Sequence, residues 1–121
     1  MSVGEGKDRK TAFRLSAPAF YILLSLAPDR KHGYAILKDV EDLSRSDVVL
    51  STSTLYGALG RLQEQGLIRR ISVDDAEEPR PGLPRKFYEL SENGRRMLAA
   101  ETRRMQEFVH QSQQRLSEVG L

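Results

Sequence analysis

Residues 50 to 70, LSTSTLYGALGRLQEQGLIRR, constrain the fold more than any other stretch of this chain. Ser51 stands where an N-cap belongs, because its hydroxyl can accept from a backbone N–H that the first helical turn leaves unpaired. Leu55, Ala58, Leu59 and Leu62 then recur at i, i+3, i+4 and i+7, the spacing of one buried helical face. Gly66 suits the C′ position, where a residue without Cβ enters the left-handed region freely. The spacing predicts a helix from about Thr52 to Gln65 followed by a strand, and that helix needs other elements to cover its apolar side.

The opposite side carries Ser53, Gly57, Gly60 and Glu64, with Tyr56 and Arg61 on the flanks. Each interior glycine costs about 0.5–1 kcal/mol relative to alanine. Two readings stand: a bulky group such as a sugar-phosphate backbone comes close to this side, or the glycines are simply tolerated. The hydroxyls of Ser51, Thr52, Ser53 and Thr54 sit beside unpaired N–H groups and the positive end of the helix dipole, which suits a phosphate. Capping alone accounts for Ser51 but not for four in a row.

The flanking segments supply the cover. Ser16 caps a first helix with Pro18 in its first turn, and Pro28 stops it after Ala27. It is apolar nearly all round, with Phe20, Leu23 and Leu24 on one side and Ile22 and Leu26 on another, so it is expected to meet both the domain core and a partner subunit. After the turn PDRKHG, a second helix begins near Gly33 with Tyr34, Leu37, Val40 and Leu43 as its expected core stripe. Beyond Gly66, Leu67 to Val73 and Arg85 to Leu90 alternate loosely around a loop with Gly82 and three prolines, which reads as a β-hairpin. The expected fold is mainly α with a small β-hairpin: a winged helix-turn-helix over residues 15–90, preceded by an arm over residues 1–14. In that arrangement the third helix enters the major groove of DNA, and the wing reaches a flanking phosphate or the minor groove.

A last helix is expected from Ser91 to about Val119. Leu98, Thr102, Met105, Val109, Ser112, Leu116 and Val119 follow a 4,3 spacing widened by Phe108, a heptad seam with two polar positions. So long a helix projects beyond the surface its own domain offers. Residues 91–121 therefore read as a dimerisation helix, with Phe20, Ile22, Leu26, Leu98, Met105, Phe108, Val109 and Leu116 as the expected homodimer contacts.

Composition removes most other function classes. The 121 residues, 39% hydrophobic and 30% charged, suit one soluble domain. Cysteine is absent, which excludes disulfides, thiolate nucleophiles and Cys-based zinc sites. The only histidines are His32 and His110, neither with a carboxylate at catalytic spacing, and no HExxH, P-loop or GxSxG occurs. The expectation is a protein that is not an enzyme and that has no metal and no cofactor. The apolar run from Ala17 to Ala27 falls short of the ~20 residues that span a bilayer, and the opening MSVGEGKDRK lacks an apolar signal core. A cytoplasmic protein without membrane contact is expected. The net charge of +2 decides little, but cations gather at Arg61, Arg69 and Arg70, at Arg85 and Lys86, and at Arg95, Arg96, Arg103 and Arg104.

FYILLSLA at residues 20–27, HGY at 32–34, the run from Leu50 to Ile68 and PRKFYELSENGR at 84–95 resemble, in order and spacing, the PadR family of bacterial transcriptional regulators. A single C-terminal helix resembles the smaller branch of that family. The resemblance implies a homodimeric repressor that binds double-stranded operator DNA and is released by a small-molecule effector. Carried over by position, Tyr34, Ser53, Thr54 and Tyr56 would contact DNA, joined by Ser51, Thr52, Gly57 and Arg61 from the third helix and by Arg85 and Lys86 of the wing on phosphates. Tyr34 and Tyr56 equally fit a core position with the hydroxyl at the surface. Two departures stand out: Gly60 replaces the long polar side chain usual there, and Asp74, Asp75, Glu77 and Glu78 make the wing tip too acidic to lie on phosphate. The tip is expected to point away from DNA or to be disordered, so that only the basic base of the wing touches DNA. Some relatives hold flat molecules between the dimer helices with tryptophan, which this chain lacks; Phe20, Tyr21, Met105 and Phe108 are the residues that would line such a pocket here, with plain dimer packing as the other role for Met105. The competing class is a dimeric winged-helix module that sequesters a ligand or partner without binding DNA.

Overall fold

The computed structural model describes residues 15–72 and 86–121. The expected arm, the acidic wing tip and Arg85 lie outside the described residues. Four helices and three short strands follow in the order α1 (Ala17–Leu26), β1 (Lys31–His32), α2 (Gly33–Leu43), α3 (Thr52–Glu64), β2 (Ile68–Ser72), β3 (Lys86–Leu90) and α4 (Glu92–Glu118). Each helix starts on a side-chain cap. Ser16 accepts from the Ala19 N–H at 3.3 Å, His32 Nδ1 from Ala35 at 3.3 Å, Ser51 from Thr54 at 3.1 Å and Ser91 from Gly94 at 3.0 Å. Such a cap satisfies one of the orphan donors of a helix start and contributes about 0.5–2 kcal/mol.

The expected helix of residues 52–65 ends one residue sooner, on a paired C-cap. Leu67 N–H donates to Leu62 O at 3.0 Å and Gly66 N–H to Gln63 O at 2.9 Å, with Gly66 at φ +75°. That is a Schellman arrangement, and it explains the glycine. Leu55, Ala58, Leu59 and Leu62 of α3 are buried as the spacing requires, against Ile22, Leu23 and Leu26 of α1 and Ile36 and Val40 of α2. Leu67, Ile68, Tyr88, Leu90 and Leu98 close the core from the sheet side and the start of α4. Burying each large aliphatic side chain contributes about 1.5–3 kcal/mol, and this one cluster supplies the favourable term for the whole domain.

Three expectations change. The hairpin becomes a three-stranded antiparallel sheet in the order β1-β3-β2, because Lys31 and His32 of the supposed turn pair with Tyr88 and Phe87. The stripe of α2 holds at Val40, which is buried, and at Leu37, which is partly so, but its other members are Gly33 and Ile36, whereas Tyr34 is 67% and Leu43 is 42% exposed. Ile22 and Leu26, expected to face a partner subunit, are 0% and 2% exposed inside the protomer's own core. They are buried because α1 is covered on several sides by α2, α4 and β3. Leu98, expected in the dimer seam, likewise belongs to the core cluster.

Two glycines hold close approaches. A Cβ on Gly33 would overlap the hydroxyl and ring of Tyr56, and a Cβ on Gly94 would overlap the carbonyl oxygen of Leu67. The second approach lies at the joint between α3 and α4. There the Ser91 hydroxyl donates to Gly66 O at 2.6 Å while its N–H donates to Leu67 O at 3.0 Å. The long helix is thus bolted to the C-terminus of α3.

Candidate nucleic-acid interface

The side of α3 turned away from the core exposes Thr52, Ser53, Tyr56, Gly57 and Arg61, with Gly60 half-exposed. Its hydroxyls are not equivalent. Ser51 Oγ accepts the Thr54 N–H and donates to Thr54 Oγ1 at 2.9 Å, so these two side chains belong to the cap first. Thr52 and Ser53 remain outward at the positive end of the helix dipole, where backbone N–H groups and hydroxyls suit an anion.

Two flanks bound this side. On one, Tyr56 rests on Gly33 at the start of α2 yet stays 47% exposed. Its ring packs on Gly33 while about half of the residue stays open, so Tyr56 is not the core position that the sequence allowed as an alternative. Tyr34, next to Gly33, is an open surface residue and not core. On the other flank a groove of about 270 Å³ runs between the start of α1 and α3, lined by residues that include Ser16, Pro18, Thr54, Arg61 and Gln65. Arg61 bends back toward Gly57, where an added Cβ would be 3.7 Å from its Nη1. Gly60 has open space above it. Among the described residues no close approach requires glycine at 57 or 60.

The wing contributes Lys86, exposed and paired in register with Ser72. Beside it on β2, Arg69 forms a 2.7 Å ion pair with Glu89, while Arg70 is exposed opposite Tyr88. Burial pushes the Tyr88 phenol above its ordinary value, nearby Tyr56 adds to the rise, and Arg70 pulls it back. Sequence reading counted Arg70 among the basic clusters but gave it no role, because only the strand register separates it from Arg69.

The second candidate surface is the end of α4. Every residue from Met105 to Leu121 is exposed, including Met105, Phe108 (52%), Val109 (54%) and Leu116. Phe20 and Tyr21 pack edge to face at 6.1 Å on α1, whereas Phe108 sits under the Arg104 guanidinium at 5.1 Å. Arg104 in turn bonds Glu101 at 2.7 Å, and Glu101 Oε2 accepts the Leu15 N–H at 3.0 Å. That buried carboxylate ties α4 to the entry of α1; no sequence signal marks it, because an acidic residue on a polar helix reads as solvated. Among the described residues no cluster of His, Asp and Glu could hold a metal, and no helix is long and apolar enough to cross a membrane.

The profile of the transcriptional regulator PadR-like family matches residues 22–100, most of the chain. The chain belongs to the PadR-like family. Its members are transcriptional regulators, not enzymes. The fold agrees with that of a PadR family transcription regulator from Clostridium difficile, with a TM-score of 0.68 and 25% identity over 84% of this chain and 99% of that one. A PadR-like transcription factor from Bacteroides fragilis gives a TM-score of 0.64 and 23% identity over 91% and 95% of the two chains. Bacillus subtilis PadR, solved in complex with operator DNA, gives 0.62 and 21% over 72% of this chain and 47% of that chain. Comparison with curated proteins found no match.

Proposed function

We propose that this PadR-like protein is a sequence-specific DNA-binding transcriptional regulator, a homodimeric repressor released by a small molecule. One observation carries the reading: α3 buries its Leu55, Ala58, Leu59 and Leu62 side and leaves Thr52, Ser53, Tyr56 and Arg61 outward. A helix with that division, in a winged-helix frame, suits the major groove. Tyr34 and Lys86 are exposed as well, and by the family resemblance they would contact DNA together with Arg85, which lies outside the described residues. The structural likeness to a PadR solved on operator DNA supports the same use of the fold.

Dimerisation is supported by the uncovered stripe of Met105, Phe108, Val109 and Leu116, to which Phe20 adds a partly buried ring. A second copy is the simplest cover for a helix of this chemistry. An effector space lined by Phe20, Tyr21, Met105 and Phe108 would then require both subunits. We place the protein in the cytoplasm, where its DNA would be.

A dimeric winged-helix module without DNA binding is the second reading, favoured by the single arginine and the open Gly60 on the outward side of α3. Electrophoretic mobility with fragments of the protein's own promoter region separates the two. A shift at low salt that Arg61→Ala with Tyr56→Ala abolishes, while the dimer persists, is the expected result. No shift with any fragment sinks the regulator.

A further inference from the structure

Two adjacent arginines of β2 look alike in sequence, and the sheet register separates them. Directly opposed residues of an antiparallel pair share a face. Ile68, Arg70 and Ser72 therefore lie with Leu90, Tyr88 and Lys86. Ile68, Tyr88 and Leu90 are buried, so this is the face that covers the core. Along β2 that face passes from buried Ile68 to exposed Arg70 and Ser72 as the strand leaves the helices behind. Arg69, Glu89, Ile71 and Phe87 occupy the reverse face. There Arg69 Nη2 lies 2.7 Å from Glu89 Oε2, while Arg70 has no carboxylate partner among the described residues.

Tyr88 lies directly opposite Arg70 on the neighbouring strand. Lys31, Tyr88 and Arg70 form one row across the three strands. The Tyr56 hydroxyl rests on Gly33, directly after His32, whose partner in the sheet is Phe87 beside Tyr88. Gly33, against which Tyr56 packs, therefore lies two residues beyond Lys31 of the row that holds Tyr88 and Arg70; in keeping with that placement, Tyr56 raises and Arg70 lowers the Tyr88 pKa.

We propose that the Tyr56 hydroxyl and the Arg70 guanidinium form one phosphate seat at the junction of α3 and the wing, with Arg70, not Arg69, as the β2 cation that meets DNA. The proposal rests on the DNA-binding reading above. Guanidinium presents a planar fork of donors that fits phosphate oxygens, and a phenol adds one neutral donor from a fixed ring. Arg69 would have to surrender Glu89 to do the same. Because Tyr56 is held against Gly33, the seat joins helix and wing in one rigid register, so a single phosphate would fix how deeply α3 enters the groove.

Fluorescence anisotropy over a salt series tests this, first with a random-sequence duplex pool and then with the duplex the wild-type protein selects. Loss of one phosphate contact lowers the slope of log K against log salt by about 0.9, so the wild-type advantage over Arg70→Ala shrinks about 3.5-fold between about 50 and 200 mM salt. Arg69→Ala and Arg70→Lys keep the wild-type slope, the latter because an ammonium still neutralises the phosphate. Tyr56→Phe, which removes only the hydroxyl, weakens binding without changing the slope, and weakens it less in the Arg70→Ala background than alone. A wild-type slope in Arg70→Ala, or an equal loss in Arg69→Ala, overturns the seat. A wild-type protein that binds no duplex at low salt overturns the DNA-binding reading, and the seat with it.

Discussion

The inner side of α3 and the distal half of α4 carry the same helical spacing of apolar residues, yet they end in opposite environments. Leu55, Leu59 and Leu62 find α1, α2 and the sheet within their own chain. Met105, Val109 and Leu116 stay exposed among the described residues, although α4 runs unbroken to Glu118. A helix draws most of its stability from the packing of its apolar face. The first stripe is therefore stabilised within its own chain, whereas the second, on the proposed homodimer reading, would be stabilised when another chain covers it. Periodicity alone reports an apolar face, and the supply of neighbours decides what covers that face.

The largest test of this contrast pairs Leu59→Ala with Leu116→Ala. The first leaves a cavity in a fully buried site and should lower unfolding free energy by about 2–5 kcal/mol. The second, in protein diluted until it is monomeric, should stay within about 0.5 kcal/mol of wild type. Denaturant titration measures both, and comparable losses would erase the difference between the two stripes.

Glutamates at the distal stripe come next. Met105→Glu with Val109→Glu puts like charges from both copies into one apolar seam, and the dimer should weaken on the order of 100-fold, about 2.7 kcal/mol. Sedimentation equilibrium reads the association, and the melting of the diluted monomer should not move. A dimer of unchanged strength would show that α4 is covered by something other than its own copy.

Gly33→Ala probes the self-covered region at its tightest point. The added methyl collides with a ring held from the other side, which should cost about 1–3 kcal/mol. In a Tyr56→Ala background the same substitution should cost much less, and thermal denaturation of the four proteins gives the coupling. Additive losses would mean that Tyr56 does not hold α2 against α3.

How legible these features were depends on how far away their causes lie. The caps at Ser16, Ser51 and Ser91 and the stop at Gly66 could be read because a cap acts on the residues beside it. The inner stripe of α3 could be read because four residues at strict spacing leave one choice. Strand β1 could not, since Lys31 and His32 become a strand only through Tyr88 and Phe87, far along the chain. The face of α2 was legible at Val40 and Leu37 but not at its ends, because Tyr34 and Leu43 look apolar and stand outside, while Ile36 is buried. Ile22 and Leu26 show the limit on α1: an all-round apolar helix does not reveal which neighbours come from its own chain. At the candidate interface, the residues of α3 were visible from their order, but the difference between Arg69 and Arg70 exists only in the register of β2 with β3.

The smallest expected effect falls at Ser91, where the two regions meet. Ser51→Ala removes one cap and a bond to the exposed Thr54 hydroxyl, which water can replace, and should cost about 1 kcal/mol. Ser91→Ala removes the equivalent cap and also the donor to Gly66 O at 2.6 Å, leaving a carbonyl at the end of α3 with one fewer partner. Its cost should exceed that of Ser51→Ala by about 0.5–1.5 kcal/mol, the net worth of one further hydrogen bond. Gly94 packs on the Leu67 carbonyl at the same joint, so the angle between α3 and α4 is set by backbone contact as well as by this hydroxyl. The substitution should therefore loosen the joint without releasing it. Equal losses from the two serines in thermal denaturation would show that the bond to Gly66 adds nothing, and that Gly94 alone transmits the position of the uncovered helix to α3.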